Sequence, residues 1–210
     1  MRQGGLRLTS KEIICTDALD YLSKNKCPAI IASPPDATEI NMSTSDWEKW
    51  FSTALDLCFL SSDGPLVFYV TDRMDGGAWM SKSNLVLQSA NKARVKQAWH
   101  KIALRRDPMQ TDIHRPTYSH LMAFNGSPKK RTPDVFPRGK VLYPNGMGLI
   151  AARYAVEWVK GQADLVVDPF CGRGTVPAVA KALGLDSIGI DIDPQQCEFS
   201  KSLSLKSSGN

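Results

Sequence analysis

The sequence predicts an α/β domain built on a doubly wound, mostly parallel sheet with helices on both faces. Three observations carry that prediction. Short apolar runs alternate with longer stretches of helical spacing along most of the chain. Two of the runs, "AIIAS" (29–33) and "ADLVVD" (163–168), are apolar almost throughout, as strands buried on both faces are. Each runs into a turn, the first at Pro34-Pro35 and the second at a loop holding Gly172 and Gly174.

Taken in order, "EIIC" (12–15) reads as a strand and "DALDYLSK" (17–24) as a helix. "AIIAS" stops at the prolines because proline donates no backbone hydrogen bond, fixes its own φ and pushes the preceding residue away from helix. "STSDWEKWFSTALDLCFLS" (43–61) spaces Trp47, Trp50, Phe51, Leu55 and Phe59 as one helical face, with Ser45 or Asp46 as its cap. "PLVFYV" (65–70) is a buried strand, "WMSKSNLVLQSANKA" (79–93) a helix, and "VKQAWHKIAL" (95–104) and "YSHLMAF" (118–124) two strands. "GLIAARYAVEWVK" (148–160) is an amphipathic helix, followed by the strand "ADLVVD", the helix "TVPAVAKALG" (175–184) and the strand "SIGIDI" (187–192). Stretches 71–80, 105–117 and 125–146 are rich in Gly, Pro and charge and read as long loops.

The 210 residues, 42% of them hydrophobic, suit a single domain over 1–210, with about 1–11 and 201–210 expected to fray. A net charge of +5 favours anionic partners. The five cysteines include no Cys-x-x-Cys pair, and the three histidines are far apart, so the sequence points to no disulfide framework, no metal and an intracellular compartment. No apolar run reaches the ~18 residues of a membrane span, and the first ten residues lack the apolar core of a signal peptide.

"DLVVDPFCGRGTVPAVAKALGLDSIGIDID" carries the most chemistry. A strand reaches Asp168, a glycine turn follows, a helix starts near Thr175, and the next strand ends on Asp191. That is a nucleoside-binding βαβ unit. Glycines let the backbone turn tightly beside a ligand, and an acid ending the second strand can accept both hydrogen bonds of a ribose diol. The loop lacks a third glycine and the Gly-Lys-Ser/Thr ending of a P-loop.

"DPFCGRGT" followed by "GIDIDP" resembles the S-adenosylmethionine loop of amino-methyltransferases, and "IICTDALDYLSKNKCPAIIASPPD" resembles the N-terminal segment of the same family. The resemblance implies a Rossmann-like seven-stranded sheet and S-adenosyl-L-methionine as cofactor. It implies cofactor contacts at Asp17, Asp168, Phe170, Gly172, Gly174, Thr175 and Asp191, and a catalytic corner at Ser33, Pro34, Pro35 and Asp36. Asp168 would meet the methionine ammonium, Asp191 the ribose and Asp17 the adenosine end. An exocyclic amine is a poor nucleophile because its lone pair is delocalised into the ring. Acceptors at Ser33 and the Pro34 carbonyl would draw it toward tetrahedral geometry, and two prolines would hold those acceptors rigid.

Asp36 departs from the family, which carries an aromatic ring there to stack on the extruded base. A carboxylate cannot stack: either it accepts from a ring N–H or amino group of the base, or stacking falls to Tyr118, Phe124 or Trp79. The corner-first, glycine-loop-last order resembles the permuted, β-class DNA enzymes. The chain has no room for their usual recognition insert, although "NGSPKKRTPDVFPRGK" (125–140), with five Lys or Arg, could follow a phosphate backbone. The expected partner is nucleic acid, DNA slightly ahead of RNA, with no membrane. Either sequence selectivity is short, or RNA shape, a homodimer or a partner subunit supplies target recognition. Two rivals stay open: a catalytically silent subunit, and a methyltransferase for small molecules or proteins.

Overall fold

The computed structural model describes residues 9–110, 115–127 and 132–205. Its strands are β1 (Lys11–Cys15), β2 (Ile30–Ala32), β3 (Leu66–Val70), β4 (Arg73–Asp75), β5 (Ala78–Met80), β6 (Gln97–Leu104), β7 (Tyr118–Phe124), β8 (Val135–Pro137), β9 (Leu165–Asp168) and β10 (Asp186–Asp191). Its helices are α1 (Ala18–Lys24), α2 (Thr44–Ser61), α3 (Lys82–Lys92), α4 (Leu149–Lys160), α5 (Thr175–Ala182) and α6 (Pro194–Ser202).

Eight strands form one sheet in the order β1-β10-β9-β2-β3-β7-β6-β8, with β7 antiparallel to both its neighbours and every other pairing parallel. The expected count of seven is corrected to eight. The extra strand, β8, lies in the expected loop 125–146 and pairs with β6 at Ile102↔Val135. Its three residues are too few to show a period. The expected loop 71–80 is likewise a separate hairpin, β4–β5, turning on Gly76 and Gly77, both at positive φ.

Strand side chains alternate between two cores. Ile30, Leu66, Phe68, Met122 and Phe124 face α1, α2 and α3, while Ile31, Val67, Leu121, Ala123 and Val166 face α4 and α5. Burial on both faces is why these strands read as continuous apolar runs. Helix α2 is capped earlier than expected, by Ser43, whose hydroxyl accepts from the Asp46 amide. Residues 11 and 201–202, expected to fray, are tied in. Lys11 pairs with Ser187 in the sheet and donates from Nζ to the carbonyls of Ser200 and Leu203, 2.6 Å each, closing the end of α6.

From β9 the chain winds outward to β10, whose far edge is taken by the earlier strand β1, and from β2 it winds outward to β3. Between these halves β2 and β9 are in register at a single position, Ile30↔Val167, and part beyond it. Their carboxyl ends, Ser33-Pro34 and Asp168-Pro169, therefore diverge around a crevice at the topological switch point, where such sheets bind ligands.

Candidate active site

Two adjoining cavities open in this crevice. The larger, of about 520 Å³, is lined by Asp17, Asp168, Phe170, Gly172, Thr175 and Asp191, six of the seven residues expected to hold a cofactor. Asp17 caps α1, accepting from the Asp20 amide at 2.8 Å. The Asp191 carboxylate closes the glycine loop: Oδ2 accepts from the Gly172 amide and Oδ1 from the Asp193 amide, each at 2.9 Å. The carboxylate also lines the cavity, where it can accept from a ligand.

Gly172 sits at φ +52°, and a Cβ there would meet only the Tyr143 hydroxyl, at 4.0 Å, so the absent side chain is part of the cavity. Gly174, the seventh expected residue, does not line it. It holds the turn at φ +85°, and a Cβ there would collide with the buried Ser200 side chain. Its role is the close packing of α6 under the loop.

Asp168 is buried, accepts from the Phe170 amide at 3.2 Å, and has its pKa pushed up to about 8, chiefly by burial, with the Asp191 charge adding to it. A buried acid beside an open cavity gains most from a cationic ligand. The apolar wall is made by Phe170 and Trp50, packed edge-on with centroids 5.8 Å apart. Tyr143 completes the floor, its hydroxyl accepting from both the amide and the hydroxyl of Thr175 at 3.2 and 2.8 Å. Sequence reasoning missed both. Trp50 sits within an ordinary apolar helix pattern, and Tyr143 lies in a segment with no period at all. Asn145 and Gly146, beside Tyr143, line both cavities.

The smaller cavity, of about 210 Å³, is lined by Ser33, Pro34 and Asp36, and Ser33 faces both cavities. Among the described residues nothing hydrogen-bonds the Ser33 hydroxyl or the Pro34 carbonyl, so both acceptors are open. The Pro35 carbonyl is instead taken by the indole N–H of the fully buried Trp47, at 3.0 Å, which pins the corner to α2.

Asp36 requires a correction. Its carboxylate is 5% exposed and saturated with donors. Oδ1 accepts from the Ala37 amide at 2.8 Å and Arg73 Nη1 at 3.0 Å; Oδ2 meets Lys82 Nζ at 3.0 Å and Arg115 Nη2 at 3.4 Å. All four lone-pair sites are in use, which leaves none to read a base. Burial alone would raise its pKa, but Lys82 and then Arg73 outweigh that and hold it below the usual carboxylate range. Lys82 and Arg73 also stand over the Trp47 ring, at 5.1 and 5.9 Å from its centroid. Asp36 thus joins the corner to α3 and to the β4–β5 hairpin.

The stacking expectation is corrected as well. Phe124 is fully buried in the core, Trp79 projects from the hairpin at 49% exposure, and Tyr118 packs edge-on against His120. None of them lines the smaller cavity; the ring that does is Tyr69. Of the basic segment 125–140, residues 128–131 lie outside the described residues, while Arg138 lines this same cavity.

The DNA methylase family matches residues 21–202. No curated protein matches the chain. Among solved structures, the PvuII DNA methyltransferase, cytosine-N4-specific, is similar with a TM-score of 0.73 at 14% identity, over 96% of this chain and 89% of that one. TTHA0409 of Thermus thermophilus, complexed with S-adenosyl-L-methionine, is similar with a TM-score of 0.68 at 17% identity, over 90% and 92%. The complex of M1.HpyAVI with S-adenosylmethionine gives 0.60 at 17% identity, over 90% and 97%. At these identities the structures share a fold.

Proposed function

The chain belongs to the DNA methylase family, and from that premise we propose that it transfers the methyl group of S-adenosyl-L-methionine to an exocyclic amine of a DNA base, held at Ser33 and Pro34. The observation that carries this is the position of Ser33 on the wall shared by the two cavities. A methyl donor in the larger cavity and an amine in the smaller would meet there.

The larger cavity suits the cofactor. Asp191 would accept from the ribose hydroxyls, Asp168 would face the methionine ammonium, and Asp17 the adenosine end, beside the Phe170–Trp50 wall. When bound, the cofactor supplies an electrophilic methyl group on a sulfonium. Ser33 Oγ and the Pro34 carbonyl accept from the two amino hydrogens. That draws the nitrogen lone pair out of conjugation and orients it toward the larger cavity. The corner contributes by being rigid: its two prolines, the Trp47 bond to Pro35 and the Asp36 ion pairs leave it little to reorganise. The order of corner before glycine loop supports the permuted, β-class arrangement, and with it DNA rather than RNA. A duplex target would be flipped out to reach the crevice.

The test is transfer of tritium from labelled cofactor to separate DNA and RNA pools, with Ser33→Ala run beside the parent. Label is expected in DNA, with turnover about ten-fold lower or more in Ser33→Ala and with unchanged affinity for S-adenosylhomocysteine. Loss of affinity with turnover per bound complex unchanged would move Ser33 into the cofactor site. Label confined to RNA would overturn the DNA assignment.

A further inference from the structure

We propose that the smaller cavity is an anion seat that holds a phosphate of the nucleotide being methylated, gripped by Arg105 and the Tyr69 hydroxyl. This rests on the methyl-transfer reading of the corner. Four cations line the cavity, Lys82, Arg105, Arg115 and Arg138, against two acids, Asp36 and Glu39. Asp36 is already committed to Arg73, Lys82 and Arg115. None of the four cations lines the cofactor cavity, so the positive charge is gathered on the acceptor side of Ser33.

Among the described residues, two donors here are buried without a partner. The Tyr69 side chain is 6% exposed and its hydroxyl is unpaired; Arg105 Nη1 is buried and unpaired as well. An unmet buried donor is costly, and a guanidinium cannot shed its proton to escape. Burial, then Arg138, lowers the Arg105 pKa, and Arg115 and Arg106 add to the crowding of like charge. A phosphate answers each of these features, since it brings negative charge, several acceptor oxygens and no donor that must be matched. The acceptor base, its amine at Ser33 and Pro34, carries no charge to set against Arg105 and Arg138, and the phosphate of the same nucleotide supplies it. Seating a phosphate here, with Ser33 on the same wall, would fix the register of the acceptor nucleotide against the corner.

The test uses the full chain loaded with S-adenosylhomocysteine and measures binding of dAMP and dCMP against their nucleosides, with inorganic phosphate as a separate arm. Monophosphates are expected to bind roughly 10- to 100-fold more tightly than nucleosides. Arg105→Gln should erase that preference and Tyr69→Phe should reduce it. Both variants should bind S-adenosylhomocysteine as the parent does. Equal binding of nucleosides and monophosphates, including no detectable binding of either, overturns the proposal. So does a preference that survives Arg105→Gln. Inorganic phosphate binding as tightly as the monophosphates would show a free-anion site and overturn the assignment to the acceptor nucleotide. Failure of S-adenosylhomocysteine to bind would instead overturn the methyl-transfer reading, so the two failures are distinguishable.

Discussion

Asp36→Asn removes the charge that holds the corner to α3 and the hairpin, and its cost can be worked from the contacts. The substitution keeps the shape of the side chain but turns a four-acceptor carboxylate into an amide that presents a donor to donors. Arg73 loses a 3.0 Å partner but keeps Asp75 at 3.1 Å and the Thr44 hydroxyl at 3.3 Å. Lys82 has no second ion-pair partner among the described residues. Its side chain is 6% exposed and paired with Asp36, with the Trp47 ring and the Glu39 charge as its other favourable neighbours. Breaking a buried pair from one side costs about 3–5 kcal/mol; Arg73's second partners favour the lower end, about 3 kcal/mol. Urea unfolding monitored by tryptophan fluorescence should therefore shift to a lower midpoint with the slope unchanged. The double variant Asp36→Asn/Lys82→Met should recover part of the loss, because the orphaned ammonium goes with it. Acid dependence gives an independent check. The folded-state pKa of Asp36 is depressed, so its contribution is present above the ordinary carboxylate pKa and is lost as pH falls through the folded value. Below that range parent and variant should converge in stability. A loss under about 1 kcal/mol at neutral pH would mean the cluster behaves as a solvent-screened surface pair, and the reasoning would be refuted.

Two further outcomes are expected at the larger cavity. Asp191→Ala should weaken S-adenosylhomocysteine binding roughly 10- to 100-fold by calorimetry, since the proposed charge-assisted contact to the ribose and the brace on the Gly172 amide go together; unchanged affinity would put the ribose elsewhere. Asp168 has its pKa raised to about 8, so it is largely protonated at neutral pH in the free protein, and a cationic ammonium beside it should drive the proton off. Binding should then release a proton, seen as a dependence of the calorimetric enthalpy on buffer ionisation between pH 6 and 8 (about two units below and up to that pKa). The release should vanish in Asp168→Asn, and its absence in the parent would remove the ammonium from Asp168.

Features set by local backbone chemistry were legible in the sequence. Proline stops β2 because of its ring and missing N–H, and the loop after β9 turns on glycines at φ +52° and +85°, conformations that favour glycine. The βαβ unit around Asp168 and Asp191 follows from those constraints and from apolar runs that only a doubly covered sheet can bury. Only the tertiary structure decided what depends on residues distant along the chain. Asp36 is met by Arg73 from 37 positions away and by Arg115 from 79, so its conversion from a supposed base reader into a saturated brace could not be seen locally. Strand β8 exists because β6 offers it an edge, and Tyr143 reaches Thr175 from a segment 32 residues earlier. The gathering of Arg105, Arg138 and the unpaired Tyr69 hydroxyl into one cavity has the same origin. Long-range packing, not residue type or spacing, brings them together and, among the described residues, leaves the Tyr69 hydroxyl and Arg105 Nη1 unmet.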